Sequence, residues 1–404
     1  MIIGNLVSKQ QGVSMYKRTL DLAKLLKARS YFLFGPRATG KSTLISEVLP
    51  EAKIYDLLDP EIFQRLLREP KIISQETEAE TLVVIDEIQK MPHLLDEVHR
   101  LISKRKQIFL LTGSSARKLK RGAANLLAGR AFQAELFPLT SQEILNFDLL
   151  NYINTTGLPE FCGNKELAHE FLKAYVGTYL KEEIQAESLT RNLPSFTRFL
   201  EVVALSNGEE INFSNVSSDT GVPVRTVENY FSILDDTLIG FAVSPYLKTK
   251  KRKAITRSKY FFFDIGVVSN LSKRGKIELK SELFGKAFEH FIAMELRAWI
   301  SYRRADISLS YWRSTSMFEV DFILGDRWAI EVKGTDLVTD KHLKGLRALK
   351  EEGLVESYLI VSLDNERRRT EDGIYIIPYK DFLKKLWEAH SETELNLSGT
   401  TRTG

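Results

Sequence analysis

The residues most committed to one chemistry lie in Tyr31-Phe32-Leu33-Phe34-Gly35-Pro36-Arg37-Ala38-Thr39-Gly40-Lys41-Ser42-Thr43. An apolar run ends in the spacing G-x-x-x-x-G-K-S, the spacing of a phosphate cradle. Gly35 and Gly40 let the backbone curl tightly and turn successive N–H groups inward, so the whole loop from Gly35 through Pro36, Arg37, Ala38 and Thr39 to Thr43 is expected to line the phosphates. Lys41 would reach the β- and γ-phosphates, and Ser42 would offer its hydroxyl to Mg²⁺. A helix predicted over Lys41 to Leu49 aims its positive end at the anion. The pattern predicts a nucleoside triphosphate site that takes ATP and Mg²⁺.

Further polar groups fall where hydrolysis would need them. Asp86-Glu87 follows four apolar residues, the form of a strand that carries a Mg²⁺-linked aspartate. Asp86 would hold the metal's water shell, and Glu87 would orient and polarise the attacking water. Thr112 and Ser114, at the end of another apolar run, are candidate sensors of the γ-phosphate. Arg130, just before a further strand, is a candidate arginine finger acting on a neighbouring subunit, a role that implies a homo-oligomer; Arg117 and Arg37 compete for it.

A second constellation lies near the C-terminus. Glu319 to Leu324 and Trp328 to Lys333 alternate at period two around Gly325-Asp326-Arg327, a common hairpin loop length. With Leu324 opposite Trp328, Asp321 faces Glu331 and Glu319 faces Lys333. Val320, Phe322, Leu324, Trp328, Ile330 and Val332 make the apolar face. Like charges directly opposed cost up to about 1 kcal/mol, so the Asp321–Glu331 pair calls for a counter-ion. A divalent cation would supply one, with Lys333 polarising water and Glu289 adding a third oxygen. A third feature is the basic run Lys248-Thr249-Lys250-Lys251-Arg252-Lys253, with Arg257 and Lys259 beyond it. Its cations are candidate contacts to DNA phosphates.

The elements that must position these groups follow from periodicity. Strand–helix alternation from Tyr31 to Leu136 predicts a doubly wound parallel sheet with its ligand at the carboxyl ends of the strands. Asp59-Pro60 marks a helix start. Residues 1–15 read as an arm, 16–139 as the P-loop domain and 140–205 as a helical lid or linker. Residues 206–280 read as helix, Gly221 turn, helix and hairpin, the layout of a winged helix-turn-helix. Residues 281–390 read as a separate α/β domain, and the polar tail 391–404 as disordered. Over 404 residues, 43% hydrophobic and 27% charged, there is room for two or three such domains. The near balance of 57 basic against 53 acidic residues means partners must be argued from local charge. One cysteine, Cys162, excludes an internal disulfide framework and any Cys-based zinc site. The apolar stretches are strand-length and Met1 to Val13 has no signal-peptide core, so a cytoplasmic protein without membrane segments is expected.

Taken together, FLFGPRATGKST, LVVIDEIQKMP, LLTGSSARKL, LAGRAFQAELFPLT, the helix-turn-helix, and GKAFEHFIAMEL with FEVDFIL and AIEVKG resemble one family. It is the prokaryotic AAA-like ATPases that join a P-loop domain to a winged helix and a C-terminal domain of unknown function. The resemblance implies ATP binding and hydrolysis and a restriction-endonuclease-like C-terminal fold. This chain departs from the nuclease pattern at one place: Val320-Asp321 stands where a Pro-Asp would precede the E-x-K. Three functions follow as expectations: an ATPase coupled to DNA, an ATP-gated metal-dependent DNA nuclease, and a signalling ATPase acting on protein partners.

Overall fold

The computed structural model describes residues 16–115, 127, 129–179 and 192–398. The arm, Arg117 and the last six residues lie outside them. The chain enters through a short helix, α1 (Leu22–Leu26), whose cap Asp21 accepts the Lys24 N–H. There follow β1 (Ser30–Phe34), α2 (Lys41–Val48), β2 (Lys53–Asp56), α3 (Pro60–Arg68), α4 (Ile72–Glu76), β3 (Val83–Asp86), α5 (Leu94–Arg105), β4 (Phe109–Gly113) and β5 (Ala131–Glu135). Asp59 caps α3 with Pro60 in its first turn, as the sequence predicts. The five strands form a parallel sheet in the order β2-β3-β4-β1-β5. Such a sheet must be covered on both faces, and Val83, Val84 and Ile85 in β3 and Phe109, Leu110 and Leu111 in β4 are fully buried. With all strands running one way, the turns after β1, β3 and β4 emerge along the same carboxyl edge.

The 140–205 segment begins with a capping box between Thr140 and Glu143. It contains α6 (Leu149–Ile153), α7 (Lys165–Ala174), a π turn over Tyr175–Tyr179, and α8 (Leu193–Leu205). Then α9 (Phe213–Thr220) and α10 (Val224–Asp236) are joined through Gly221, whose φ of +67° ends α9 in a conformation glycine adopts without steric cost. The hairpin β6 (Gly240–Pro245) and β7 (Lys259–Phe262) follows, then α11 (Ile265–Leu271) and the long α12 (Glu282–Tyr302). The last region holds β8 (Leu309–Arg313), β9 (Glu319–Leu324), β10 (Trp328–Lys333), α13 (Lys344–Lys350), β11 (Ser357–Ser362), β12 (Arg368–Arg369), β13 (Tyr375–Pro378) and α14 (Tyr379–Glu388).

Three expectations need correction. The hairpin is no free-standing wing: β6 pairs in parallel with β8 through Ser244↔Ser310 and Pro245↔Tyr311. It thereby joins one eight-stranded sheet, β12-β13-β11-β10-β9-β8-β6-β7. Nor is the C-terminal region separate from the P-loop region. Phe284, Phe288, Phe291 and Trp299 of α12 belong to the same apolar core as Leu33, Leu110, Leu136 and Tyr152. The tail is packed over 391–398, where Leu395 and Leu397 are buried in that core and Arg327 donates to the Glu392 and Leu395 carbonyls. Two leucines suffice to order a polar segment when an apolar surface awaits them, each burial stabilising by about 1.5–3 kcal/mol. The β9–β10 register is the expected one, with Trp328 opposite Leu324 and Ile330 opposite Phe322. Val320 groups with Ile323 and Ala329 rather than with Phe322, next to the register irregularity between Ser310 and Trp312.

Candidate functional site

The turn after β1 is a tight nest. A Cβ on Gly35 would come within 2.5 Å of the Leu136 carbonyl oxygen, so the loop could not pack here with any larger residue. Gly40 takes φ +89° and Ala38 φ +63°, so successive peptides reverse direction as an anion cradle requires. Lys41 is buried, and its ammonium donates to the Gly35 and Pro36 carbonyls at 2.7 and 3.1 Å. Thr39 closes the loop by donating to the Pro36 carbonyl at 2.8 Å, while Ser42 and Thr43 face outward.

Across the sheet edge, the Ser42 hydroxyl donates to Asp86 Oδ2 at 3.1 Å. Thr112 donates to Asp86 Oδ1 and its hydroxyl accepts the Glu87 N–H at 3.2 Å. Ser114 accepts from Gln89 Nε2 at 3.3 Å, and the same amide donates to Glu87 Oε2. Thr112 and Ser114 therefore support the carboxylates from behind, through Asp86 and Gln89. Glu87 stands at φ +59°, a conformation rare for a non-glycine residue and frequent at functional sites. Burial raises its carboxyl pKa; Lys41 opposes that rise and Asp86 adds to it. A cleft of about 550 Å³ is lined by Tyr16, Arg37, Lys41, Ser42, Glu87 and Pro159. Its donor set suits a triphosphate with Mg²⁺: a cradle of backbone N–H groups, one ammonium, and a hydroxyl beside a carboxylate.

Arg130 is exposed and its Nε lies 3.3 Å from Ser103 Oγ. It precedes β5, and Ala131 pairs with Ser30 at the start of β1. It is thus at the amino edge of the sheet, roughly 16 Å of strand from the chain's own phosphate loop. Arg130 is therefore not brought to the chain's own phosphate loop.

Sequence reasoning missed Arg18. Its buried guanidinium donates to the Thr39 and Phe137 carbonyls at 2.6 Å each, to Glu143 at 3.1 Å and to the Tyr302 hydroxyl at 3.3 Å. In a trans peptide C=O and N–H point oppositely, so holding the Thr39 carbonyl turns the Gly40 N–H away from Arg18. One side chain thus links the phosphate loop to the last turn of α12. The 140–205 segment also touches the loop: Tyr175 donates to the Arg37 carbonyl at 3.4 Å, and Pro159 sits beside Gly40. No local pattern flags these contacts, because each spans more than a hundred residues or lies ahead of the motif.

The second constellation is assembled differently from the expectation. Glu289, Glu319, Asp321, Glu331 and Lys333 do converge, but around a further residue, Lys259 of β7. Its ammonium lies 2.8 Å from Glu289, 2.6 Å from Glu319 and 3.9 Å from Asp321. Lys333 lies 2.6 Å from Glu331 and 3.8 Å from Asp321, whose Oδ2 also accepts the Val332 N–H at 2.7 Å. Burial alone would lower the pKa of Lys259, but Glu289, Asp321 and Glu319 outweigh it and hold the ammonium charged. Burial pushes both Glu289 and Glu331 up, with Asp321 adding to the shift and the lysines opposing it. Among the described residues, no group of three or more His, Cys, Asp or Glu side chains is arranged to hold a metal ion. The donors do not fit a divalent cation, because an ammonium already stands among them. The signal in the sequence was Lys259 itself, a lysine opening the strand Lys-Tyr-Phe-Phe, which is buried along its whole length.

The basic run is likewise tied down. Lys248 pairs with Asp326 at 2.6 Å, and Arg252 with Glu351 at 2.5 Å. The Lys250, Lys251 and Arg252 N–H groups all donate to the Glu352 carboxylate at 2.9 Å. Lys251 donates its ammonium to the Glu351 carbonyl at 2.5 Å, and Lys253 is exposed. The run is therefore a loop clasped to α13 and its C-terminal turn. The exposed positions of α10, Val224, Arg225, Glu228, Asn229, Ser232 and Asp235, include a single cation.

Comparison with known proteins matches three stretches of the chain. A family model described as an AAA domain matches residues 27–145. Two models for domains of unknown function, DUF8612 and DUF4143, match residues 146–278 and 284–382. An uncharacterized protein of Methanocaldococcus jannaschii, MJ1544, is 23% identical over 338 residues, covering 74% of this chain and 73% of that protein. One of Haemophilus influenzae is 24% identical over 256 residues, covering 59% and 62%. Among solved structures, the Aeropyrum pernix ORC2 protein in ADPNP–ADP complexes covers 61% of this chain and 88% of its own at 14% identity, with a TM-score of 0.34. The Aeropyrum pernix ORC1 protein in complex with DNA gives 13% identity over 61% and 86%, with a TM-score of 0.23. Scores this low leave the assignment to the sheet order and the family match. No helix among the described residues is long and apolar enough to cross a membrane. The AAA-domain match and the five-stranded parallel sheet with its loop at β1 support a P-loop ATPase domain over residues 27–145.

Proposed function

We propose that this chain binds ATP at the Gly35–Thr43 loop and hydrolyses it in a Mg²⁺-dependent reaction. The observation that carries the reading is the Ser42–Asp86–Thr112 chain, with Ser42 and Glu87 lining the same cleft as Lys41. Lys41 would exchange two neutral carbonyls for phosphate oxygens, a stronger charge-assisted interaction. Ser42 and Asp86 would hold Mg²⁺, which supplies charge neutralisation at the β- and γ-phosphates. Glu87 would accept the proton of the attacking water, with Gln89 fixing its carboxylate and Thr112 fixing its backbone. Ser114 acts on the γ-phosphate through Gln89, and Arg130 acts in trans. The test is ATP turnover in Glu87→Gln, which should bind ATP and lose hydrolysis. Full turnover in that variant overturns the role of Glu87.

Coupling to DNA is the second reading, favoured by α9, the Gly221 turn and α10 standing as a helix-turn-helix. Within residues 248–253, the Lys248 and Arg252 charges are already paired with Asp326 and with Glu351 and Glu352, so phosphate contacts there would fall to the remaining lysines. Retention of duplex DNA affinity as salt rises from 50 to 200 mM would count against phosphate contacts altogether. A stable protein partner without DNA affinity would favour the signalling reading. The nuclease reading has the least support, since Lys259 stands among its carboxylates.

A further inference from the structure

The cluster at the base of the β6–β7 hairpin draws on four elements. Glu289 comes from α12, Glu319 and Asp321 from β9, Glu331 and Lys333 from β10, and Lys259 from β7. Lys259 is 4% exposed at its side chain. Two carboxylate oxygens sit within 2.8 Å of its ammonium, and its Nζ lies 5.4 Å from the centre of the Tyr311 ring. Its backbone is held on both sides, paired with Val243 in the hairpin and bridged to Glu210. The root of the side chain therefore stays beside the cluster while the hairpin stays in the sheet. Divalent cations bind carboxylate oxygens at about 2.0–2.6 Å. A cation placed where the ammonium bridges Glu289 Oε1 and Glu319 Oε1 would overlap the Lys259 nitrogen, so ammonium and metal exclude each other at that position.

A second observation concerns the far side of the cluster. Glu331 is more than nine-tenths buried; its Oε1 pairs with Lys333, while its Oε2 has no hydrogen-bond partner. Four carboxylates are thus served by two lysines inside the cluster, with Arg313 reaching Glu319 at 3.7 Å from its rim. An acidic group of this size keeps a latent appetite for positive charge, and the lysine satisfies it.

We propose that Lys259 is the resident cation of this cluster, standing where a divalent metal would have to sit. The C-terminal region then takes no divalent cation while the hairpin is docked. Its acidic face serves instead as a clasp, through Lys259, that holds the helix-turn-helix hairpin on the C-terminal sheet. The proposal is independent of the nucleotide site and holds whether or not ATP is hydrolysed there.

The test uses the full chain, free of nucleotide, in an Asp86→Asn background that removes the other carboxylate expected to meet a metal. Mn²⁺ is titrated and followed by electron paramagnetic resonance. The parent should show no stoichiometric Mn²⁺ site. Lys259→Ala should acquire one Mn²⁺ per chain, tightened at least tenfold over the parent and lost again on adding Asp321→Asn. A stoichiometric Mn²⁺ site in the parent that Asp321→Asn abolishes overturns the proposal, as does a folded Lys259→Ala that gains none. Should Lys259→Ala fail to fold, Lys259→Gln is one atom shorter, removes the charge and keeps two N–H donors. Its melting temperature should then rise with Mn²⁺ while the parent's does not; equal shifts in both overturn the proposal. The parent titration stands by itself in every case, since it needs no substitution at Lys259.

Discussion

Two sites in this molecule are built from the same three residue types, and they hold their charges in opposite ways. At the phosphate loop, Lys41 rests on two neutral carbonyls beside an open cleft, and Asp86 is held by two hydroxyls. In the C-terminal cluster, Lys259 and Lys333 rest on carboxylates at 2.6–2.8 Å, beside a cleft that Lys259, Glu289 and Glu319 line. A charge satisfied by neutral partners can be given to a ligand at small cost. A buried charge matched by a fixed opposite charge cannot, because separating them costs several kcal/mol. An acidic pair near a lysine thus marks a reaction site in one place and a structural clasp in the other.

The largest expected effect lies at the loop. Glu87→Gln should reduce ATP turnover by about 10²–10⁴-fold, the usual range for loss of a positioned base, with ATP binding retained. Lys41→Ala should abolish nucleotide binding with the fold intact. The matching change in the other cluster should do the reverse. Lys333→Ala strands the buried Asp321–Glu331 pair and should cost about 3 kcal/mol or more by denaturant titration, leaving ATP affinity unchanged in whatever chain stays folded. Equal stability losses in Lys41→Ala and Lys333→Ala would erase the contrast.

A pH prediction sharpens the same boundary. His290, next to Glu289 on α12, is buried between the Phe262 carbonyl at 2.6 Å and the Asn207 side chain at 3.2 Å, and burial lowers its pKa to about 4. The fold holds it neutral, whereas the unfolded chain takes up its proton below about pH 6.5. Its contribution is therefore full above pH 6.5 and is lost as pH falls to about 4, amounting to about 3 kcal/mol. Chemical denaturation across that window should show the parent losing stability relative to His290→Gln. Arg18→Lys, which keeps the charge but not the fork of donors, should weaken ATP binding by about tenfold if the Thr39 carbonyl must be held. The smallest effect belongs to the basic loop. Lys248→Ala should change stability by less than about 1 kcal/mol, since the Lys248–Asp326 pair is exposed.

How much of this was legible in advance follows distance along the chain. Gly35, Gly40, Lys41 and Ser42 lie within eight residues, so local geometry alone predicts a cradle. Alternating apolar runs likewise announce the parallel sheet, and period-two alternation the β9–β10 register. The carboxylates that pair with Lys248 and Arg252 of the basic run, Asp326, Glu351 and Glu352, could not be read in advance because they lie some 75–100 residues away. Thr112 and Ser114 were found at the right strand end, yet their bonds to Asp86 and Gln89 depend on how β3 and β4 pair.

By itself, the sequence determined that a phosphate loop exists, which strand leads into Asp86-Glu87, and that Leu324 must face Trp328. These are consequences of short spacings, and backbone sterics enforce them wherever the chain sits. Only the tertiary structure decided that Arg18 braces the loop against Tyr302, that the hairpin joins the C-terminal sheet, and that Lys259 enters the carboxylate cluster. Those outcomes rest on which charged groups burial brings together, and electrostatic pairing in a low-dielectric interior depends on proximity in space rather than along the chain.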